Sequence, residues 1–533
     1  MLDKLTPNQR LIVAVVLSIV FFVAYTAVFP QKGQVQNQDF NKSNLAINSQ
    51  NTVKHTAVNK VVTHDIPNDE KAISSPSNNI VTIKNSKFIL KLDTLGRISS
   101  KVLLEDKFNN TDDLHAELIQ ANGTKPLYIR FADDKLNAEA LKTPYTASVS
   151  EIDLKDKPVK VLLTQKLKEL TVTKEFTFYK DGHYDINVNL SKDKRYFLYL
   201  GQRPKVSKKL MAVAGDMIYT DDDVSTIVAD GKAEGRKVFN DVALASAFDQ
   251  YTAIIMYGFH KDTNVILQRG QNDNPVIYVE VHKSIALHGY LGPKEYKVLK
   301  AINPVLTNSI EYGWFTFASK PLFQILSWLH GIFGNWGWAI IALTALVRIV
   351  LYPLTYKGMV SMQKMKLLAP KLKELKEKYK KDPQRLNAAT MEMYKKNGAN
   401  PLGGCLPMLL QIPVFFAMYR VFLNAVELQG APWILWVHDL SRMDHLYILP
   451  VLMGASMFLQ QRMTPSNFTD PMQEKVFKYL PVVFTFFFVT FPSGLVLYWF
   501  VNNLFSIAQQ YIVNQQFTNA KDAQTAIDKN TEK

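Results

Sequence analysis

The sequence predicts a polytopic α-helical membrane protein with six transmembrane helices, five of them in a C-terminal core, joined to an exported antiparallel β-sandwich. Three observations predict this fold class. One apolar run lies near the N-terminus, a dense series of apolar runs follows residue 320, and more than 200 residues between them alternate like strands. The hydrophobic content of 47% is ordinary for a soluble protein, so the uneven distribution carries the prediction.

The N-terminal run is predicted to be an uncleaved signal anchor. Residues 1–10 form a short basic head, and residues 11–29 are apolar over a length that can cross a hydrocarbon core of about 30 Å. A cleaved signal peptide is the alternative, but cleavage after Ala27 would place Tyr25 where a small residue is required. Residues 30–79 are polar and poor in aromatic residues, which predicts a flexible tether outside the membrane.

Residues 80–317 are predicted to form the β-sandwich. In "EFTFYKDGHYDINVNL", apolar residues alternate on both sides of an Asp181-Gly182 turn. "KFILKLDTLGRI" places Phe88, Leu90 and Leu92 on one strand face, and "NPVIYVEV" is another β-rich run. A region of this size and pattern is typical of a large antiparallel sandwich.

The C-terminal part is predicted to hold an interfacial amphipathic helix at 318–335 and a five-helix core at 336–513. The interfacial segment is apolar and aromatic but too short to span a bilayer. The predicted spans lie at about 336–356, 403–426, 446–461, 477–491 and 494–513. A helical hairpin at 357–400 and a tail at 514–533 are predicted to be cytoplasmic, as is the N-terminus.

The distribution of charge supports this topology. The segment 357–400 holds twelve Lys and Arg against four acidic residues, whereas the outer loop from Glu427 to His445 holds Arg442 as its one Lys or Arg. The fifth span has about 15 residues before "FPSG", so it covers roughly 22 Å at 1.5 Å per residue. Either the bilayer is thinned or locally wet there, or the boundaries of the span are wrong by a turn, since apolar Val476 and Leu495 to Val501 adjoin it.

Enzyme signatures are absent from the sequence. It contains no P-loop, no G-x-S-x-G, no H-E-x-x-H and no paired Cys and His at ligand spacing, so we expect no enzyme, metal or cofactor. His438-Asp439 and Asp444-His445 are predicted to be surface polar groups. The single cysteine, Cys405, cannot form an internal disulfide and is predicted to be a small packed residue.

Arg348 lies deep in the apolar run "NWGWAIIALTALVRIVLYPLT". An arginine at mid-bilayer costs about 2.5–3.5 kcal/mol on insertion scales, so it usually faces a partner or a water-filled cavity. The five C-terminal spans hold no acidic residue apart from Glu427 at an outer edge. A hydrated groove is therefore favoured over a salt bridge.

Other polar side chains in the spans are candidates for the same groove. Each alone is more often a packing residue between helices. With the arginine they predict a hydrophilic groove and substrate-contact site formed by Arg348, Thr344, Gln411, Tyr498, Trp499 and Asn502.

The predicted hairpin is strongly basic. Apolar residues recur at helical spacing on both arms, with Asp382-Pro383 starting the second helix. Its charge is explained in part by the excess of Lys and Arg that cytoplasmic loops carry, and contact with ribosomal RNA or anionic lipid is the alternative. The candidate contact residues are Lys371, Lys373, Lys376, Lys378, Lys380 and Lys381.

Four motifs in this order resemble the YidC/Oxa family of membrane-protein insertases. They are "GNWGWAIIALTALVRIVLYPLT", "NPLGGCLPMLLQIPVFFAMY", "LYILPVLMGASMFLQQRM" and "FPSGLVLYWFVNN", arranged around a basic hairpin. The signal anchor and long β region resemble the Gram-negative members, which carry a large periplasmic domain. The resemblance is detailed from about Gly289 to Phe517 and architectural before that.

The resemblance implies an insertase of the bacterial inner membrane that receives nascent membrane proteins, alone or with the Sec translocon and its accessory subunits. It implies that Arg348 lines a groove, with Thr344 beside it, and that Tyr498 and Trp499 contact substrate. Family members often have two tyrosines there, so Trp499 keeps the stacking surface and lacks a hydroxyl. Further partners implied are the ribosome, the receptor of the signal recognition particle and anionic lipids, but not DNA.

Two other functions fit parts of the sequence. A transporter with an anion site at the bilayer midplane would also use Arg348, but the spans show no internal repeat. A polytopic enzyme or carbohydrate sensor would use the sandwich domain, which has no recognisable catalytic cluster. A galactose-mutarotase type of sandwich is implied by the resemblance, without its sugar chemistry.

Overall fold

The computed structural model describes residues 78–109, 115–121, 123–204, 213–380, 382–398, 406–464 and 471–531. The predicted signal anchor, the tether up to residue 77, Lys381 and Cys405 lie outside these residues. The chain divides into two compact units, Met1–Glu311 and Tyr312–Lys533.

The first unit is built mainly from strands. In chain order these are β1 Asn79–Lys84, β2 Phe88–Asp93, β3 Ile98–Leu103, β4 Ile129–Phe131, β5 Thr146–Ala147, β6 Glu151–Asp153, β7 Val159–Lys166, β8 Thr171–Phe178, β9 His183–Leu190, β10 Tyr196–Tyr199, β11 Gly215–Thr220, β12 Ser225–Ala229, β13 Arg236–Phe239, β14 Val242–Phe248, β15 Thr252–Tyr257, β16 Asn264–Arg269, β17 Pro275–Val281 and β18 Ile285–Pro293. Two short helices accompany them, α1 Asp134–Lys142 and α2 Tyr296–Ile302.

The strands form three sheets. Their orders are β3-β2-β1-β6, β13-β16-β17-β10-β4 and β12-β11-β14-β15-β18-β9-β8-β7-β5. Neighbouring strands are antiparallel except β1 and β6, which pair in parallel. The predicted antiparallel β class is confirmed for this unit.

The β8–β9 hairpin shows why the sequence folds in this way. Phe176 pairs with Ile186 and Phe178 with Tyr184, and all four side chains are buried on one face. Gly182 supplies the positive φ of 92° that the turn requires. The alternation seen in the sequence is therefore the alternation of core and surface.

Two buried lysines tie the first and third sheets together. Lys101 on β3 donates to the main-chain carbonyl of Leu291 on β18. Lys174 on β8 donates to the carbonyls of Gly96 and Leu127, at 2.8 and 2.7 Å. Burial lowers the pKa of each lysine to about 7.

These lysines predict that the first unit becomes more stable above neutral pH. Between about pH 7 and 10 the folded state binds fewer protons than the unfolded state, so each lysine adds at most about 1.4 kcal/mol of stability per pH unit. Lys101→Met and Lys174→Met should each remove one such contribution. Pulse proteolysis in urea at several pH values measures this, and a wild-type slope no steeper than that of either variant would contradict it.

The second unit is helical. Its helices are α3 Thr316–Phe333, α4 Trp336–Leu367, α5 Ala369–Lys378, α6 Pro383–Lys396, α7 Leu406–Asn424, α8 Ile448–Met463, α9 Pro471–Phe488 and α10 Ser493–Thr531. The apolar runs predicted as the last five spans fall on α4, α7, α8, α9 and α10.

Two helices, α4 and α10, continue well beyond their apolar runs, and α10 ends only at Thr531. The side chain of Asn335 caps the start of α4 by accepting from the N–H groups of Gly337 and Trp338. The helix then continues without a break from the apolar run to Leu367, so the first basic residues after the run extend the same helix. α9 ends at Phe488, and a turn leads into α10 because Pro492 cannot continue a helix.

The surface of the second unit is unusually apolar. Of the 32 exposed large hydrophobic side chains among the described residues, 30 belong to this unit. Exposed apolar surface of this extent is typical of contact with lipid or protein. Within the described part of the chain, Trp336–Leu367 is the helix whose length and composition suffice to cross a membrane, with a mean hydropathy of 1.8 over 18 residues. The predicted number of spans stays a prediction.

Candidate functional site

Arg348 on α4 is bound to α10 by neutral groups. Its Nε donates to Oδ1 of Asn502 at 2.7 Å, and its Nη2 donates to the main-chain carbonyl of Asn502 at 3.0 Å and to the hydroxyl of Ser506. Asn502 and Ser506 are almost fully buried, whereas Arg348 is partly exposed. Because these acceptors are uncharged, they satisfy donors of the guanidinium and leave its positive charge in place.

The contact of Arg348 belongs to a polar seam between α4 and α10. The seam consists of Arg348 with Asn502, Thr355 with Gln509, and Gln363 with Asn514. The partners are 154, 154 and 151 residues apart in the sequence, so the two helices run parallel. Contacts seven or eight residues apart along α4 recur on the same face, as in a coiled-coil seam.

A second hydrogen bond joins α7 to α10. Nε2 of Gln411 donates to the hydroxyl of Tyr498 at 2.7 Å, and Tyr498 is buried. Tyr498 lies one turn before Asn502 on α10. The side chains that bond Gln411 and Arg348 are therefore neighbours on one face of this helix. The structure thus brings Gln411, Tyr498, Asn502 and Arg348 into one polar row.

Thr344 and Trp499 make different contacts. The hydroxyl of Thr344 donates to the carbonyl of Ile340 in its own helix at 2.7 Å, and the side chain is buried. Trp499 packs against aromatic rings of α7 and α9, with centroid distances of 4.8 Å to Phe415 and 5.3 Å to Phe488. Its Nε1 is buried without a hydrogen-bond partner among the described residues. Trp499 therefore belongs to an aromatic wall beside the polar row.

Sequence reasoning missed Ser506 and four members of the seam. The seam residues without a predicted role are Thr355, Gln363, Gln509 and Asn514, although Ser506 and Gln509 follow Asn502 by four and seven residues in an apolar helix. This spacing places them on one helix face and was the available signal. Arg420, a second arginine within a predicted span, also received no role; it lies on α7 and is partly buried.

The basic hairpin is formed by α5 and α6. Asp382 caps α6 by accepting from the N–H of Arg385 at 3.0 Å, and Leu372 is the buried residue of α5. Most of the candidate lysines point to the surface: Lys371, Lys373, Lys378 and Lys380 are exposed and Lys376 is partly buried. The described lysines are therefore available to bind a partner, and their contacts do not identify that partner.

Asp444 is not the surface residue that the sequence predicted. It is 3% exposed, and its carboxylate accepts from the N–H groups of Leu446 and Leu449 and from Nε1 of Trp436. These bonds cap the start of α8 and hold the loop before it. The role of Asp444 is structural, because all three of its hydrogen-bond partners lie in the loop before α8 or in the first turn of α8.

Comparison with known proteins identifies the family. A family described as "60Kd inner membrane protein" matches residues 328–521, and one described as "YidC periplasmic domain" matches residues 259–325. The membrane protein insertase YidC of Campylobacter jejuni is 44% identical over 530 residues, covering 98% of this chain and 99% of that protein. The chain belongs to the YidC family of membrane protein insertases.

A second relative agrees with this assignment. The membrane protein insertase YidC of Helicobacter pylori is 42% identical over 554 residues, covering 98% of each chain. A solved structure described as an active YidC insertase with its first transmembrane domain resolved aligns over 82% of this chain and 95% of that chain, at 20% identity and a TM-score of 0.37.

Family membership confirms the predicted fold class apart from the number of spans, together with an inner-membrane location and a periplasmic domain. The family is one of insertases and is not a known class of enzymes. The alternative of a transporter with a midplane anion site is therefore not favoured.

The polar seam predicts a specific pattern of stabilities. Thr355→Val should leave the amide of Gln509 without its partner and destabilise the bundle by about 0.6 kcal/mol, with an upper bound near 1.7 kcal/mol. Adding Gln509→Leu should recover part of this loss, because replacing both partners removes the unsatisfied group. Unfolding of the full-length protein in bilayers by steric trapping measures both, and strictly additive losses would contradict the seam.

Proposed function

We propose that nascent membrane proteins pass along a hydrophilic groove at Arg348 while the protein inserts them into the inner membrane. As a family member the chain is a membrane protein insertase, and its substrates are nascent membrane proteins. The observation that carries the proposal is a guanidinium in an apolar helix whose hydrogen bonds go to neutral groups. Its charge remains available to attract water and acidic segments of a substrate.

The physical task of such a groove is to lower a barrier. An apolar substrate helix gains free energy on entering lipid, whereas its polar flank must cross hydrocarbon, which is the costly step. A wet, positively charged groove that extends partway through the bilayer shortens this crossing. Because no bond is made or broken, the function requires neither an enzyme active site nor a cofactor.

A locally thin bilayer would assist the same step. α9 has 18 residues, and its part without charged side chains, from Tyr479 to Phe488, covers about 15 Å at 1.5 Å per residue, less than a hydrocarbon core of about 30 Å. Lipid beside this helix would have to thin or admit water. The short helix supports a groove that opens toward the cytoplasmic leaflet.

The other candidate residues have complementary roles in this proposal. Gln411 and Tyr498 extend the polar row of Arg348 by their mutual hydrogen bond, and Asn502 orients the guanidinium. Trp499 and its aromatic neighbours provide an apolar wall for the substrate helix. Thr344 lines the groove one turn from Arg348.

We infer a six-span topology with both termini in the cytoplasm. The alternation of six spans requires α4, α8 and α10 to run in the same direction. The seam shows α4 parallel to α10, and contacts of Asn503 with Ser456 and of Asn514 with Met463, 47 and 51 residues apart, align α8 with α10. Six of the seven tryptophans lie between residues 314 and 436, near the proposed outer ends, as expected for an interfacial belt.

The remaining segments are proposed as follows. Residues 1–10 are cytoplasmic, 11–29 form the anchor, 30–79 the tether, 80–317 the periplasmic sandwich, 318–335 the interfacial helix, 336–513 the core with its hairpin at 357–400, and 514–533 the tail. On α3, exposed Phe317, Trp328 and Ile332 fit a helix lying in the outer leaflet.

The hairpin is proposed to receive partners on the cytoplasmic side. Exposed lysines suit phosphate groups of ribosomal RNA or anionic lipids, and the receptor of the signal recognition particle is a further partner. The Sec translocon and its accessory subunits are proposed partners for substrates that the insertase does not handle alone.

Substitution of Arg348 tests the groove. Arg348→Ala should reduce insertion of substrates with acidic exported flanks by about tenfold and spare purely apolar ones, because the charge acts on the polar flank. Protease protection in proteoliposomes containing the full-length protein measures insertion. Lys357→Ala, at an exposed position nine residues along the same helix, is the matched control. Equal losses for both kinds of substrate would rule out the charge as the working feature.

Removal of the hairpin tests its role separately. Deletion of residues 371–396 should abolish insertion of ribosome-bound substrates, because the exposed lysines of this segment are the proposed contact. Insertion is measured in the same vesicles, with α4 and α7 rejoined by a neutral linker of equal length. Full activity would show that the hairpin only sets the orientation of the protein in the membrane and binds no partner needed for insertion.

A further inference from the structure

The hydrogen bonds of Arg348 occupy one edge of its guanidinium. A guanidinium has five N–H donors, one on Nε and two on each terminal nitrogen. Nε donates once and Nη2 donates twice, so the bonds to Asn502 and Ser506 use the whole capacity of these two nitrogens. Among the described residues, Nη1 makes no hydrogen bond, and its two donors are open.

The acceptors on α10 are held firmly in place. Asn502 and Ser506 are 5% and 3% exposed and occupy successive turns of α10. The hydroxyl of Ser506, while accepting from Arg348, also donates to the carbonyl of Asn502 at 3.1 Å. The pair Thr355 and Gln509 forms a separate contact between α4 and α10, two turns further along the seam. The direction of the guanidinium is therefore set by the fold.

We propose that Asn502 and Ser506 are positioning residues that hold the Nε and Nη2 edge of Arg348 against α10 and leave Nη1 as the nitrogen that meets the substrate. The proposal rests on the proposed passage of substrate at Arg348. The ligand class is a carboxylate or a main-chain carbonyl in the polar flank of an inserting chain. Ser506 thereby gains a role that the sequence pattern did not assign.

The geometry limits how strongly Arg348 can bind a passing carboxylate. A two-nitrogen grip on a carboxylate uses either the Nε and Nη2 edge or the Nη1 and Nη2 edge, and such bidentate pairs are the strong ones. Both edges include Nη2, whose donors are already used on α10. An acidic flank is thus met end-on by Nη1 alone, which attracts it without clamping it. An insertase must release each substrate, so weak contact suits its task.

The experiment measures how long substrates remain bound. Two substrates with the same apolar helix carry a translocated flank of Asp residues or of Asn residues. Each is added to proteoliposomes containing the full-length insertase, and the bound fraction is followed by chemical cross-linking at intervals. The readout is the ratio of the dwell time of the acidic substrate to that of the neutral one.

Freeing the occupied edge should lengthen the dwell of the acidic substrate. In Asn502→Leu/Ser506→Ala, Nε and the Nη2 donor that bonds Ser506 are released, while the other Nη2 donor stays on the main-chain carbonyl of residue 502. The dwell ratio should rise about tenfold, as expected for one added hydrogen bond to a charged group. Ser506→Ala alone, the milder change, should raise it by a smaller factor. An unchanged or lower ratio in both variants overturns the proposal.

Two controls separate the possible failures. Thr355→Val weakens the same seam without touching Arg348, so it should leave the dwell ratio unchanged; a rise equal to that of the double variant would show a merely structural effect and overturn the proposal. Arg348→Ala should bring the ratio close to one. A wild-type ratio in Arg348→Ala would instead refute the proposed groove, on which the inference rests.

Discussion

The structure of the second unit depends on one constraint, which is that the positive charge of Arg348 is held by neutral acceptors. A carboxylate partner would have cancelled the charge, and an unbonded guanidinium would have been too costly in apolar surroundings. Asn502 and Ser506 satisfy the donors and preserve the charge. This solution requires α10 to lie close and parallel to α4, and it makes the polar seam a condition of the site.

The two units treat buried cations in opposite ways. In the sandwich, Lys101 and Lys174 are surrounded by carbonyls and aromatic rings, and burial lowers the pKa of each to about 7. A lysine can escape the cost of burial by losing its proton. Arginine cannot be deprotonated in proteins. The residue at the candidate groove is therefore the one whose charge survives partial burial, whereas the lysines of the sandwich serve mainly to join its sheets.

Local patterns predicted well what depends on local periodicity. The β8–β9 hairpin followed from alternation around Gly182, and Arg348 stood out because a single charge interrupts an apolar run. The structure places Gln411, Tyr498 and Asn502, which the sequence proposed as groove residues, in one polar row. Whether substrates contact these residues stays a prediction.

Contacts between distant segments were beyond the sequence. Nothing local links Arg348 to Ser506, 158 residues away, until the helices pack. Lys101 and Lys174 resemble ordinary surface lysines in the sequence, and their burial follows only from the stacking of the sheets. Asp444 was misassigned for the same reason, because its acceptor role depends on how the loop before α8 folds back.

The helix that completes the polar row, α10, is made after the other helices described above. α10 supplies the partners of Arg348, of Gln411 through Tyr498 and of Ser456 through Asn503. During synthesis at about 5–20 residues per second, Arg348 emerges roughly 10–30 s before Asn502 exists. Throughout that interval the chain carries an unsupported charge toward the membrane. The polar row of a newly made copy is thus complete only once α10 has been made and has packed against α4.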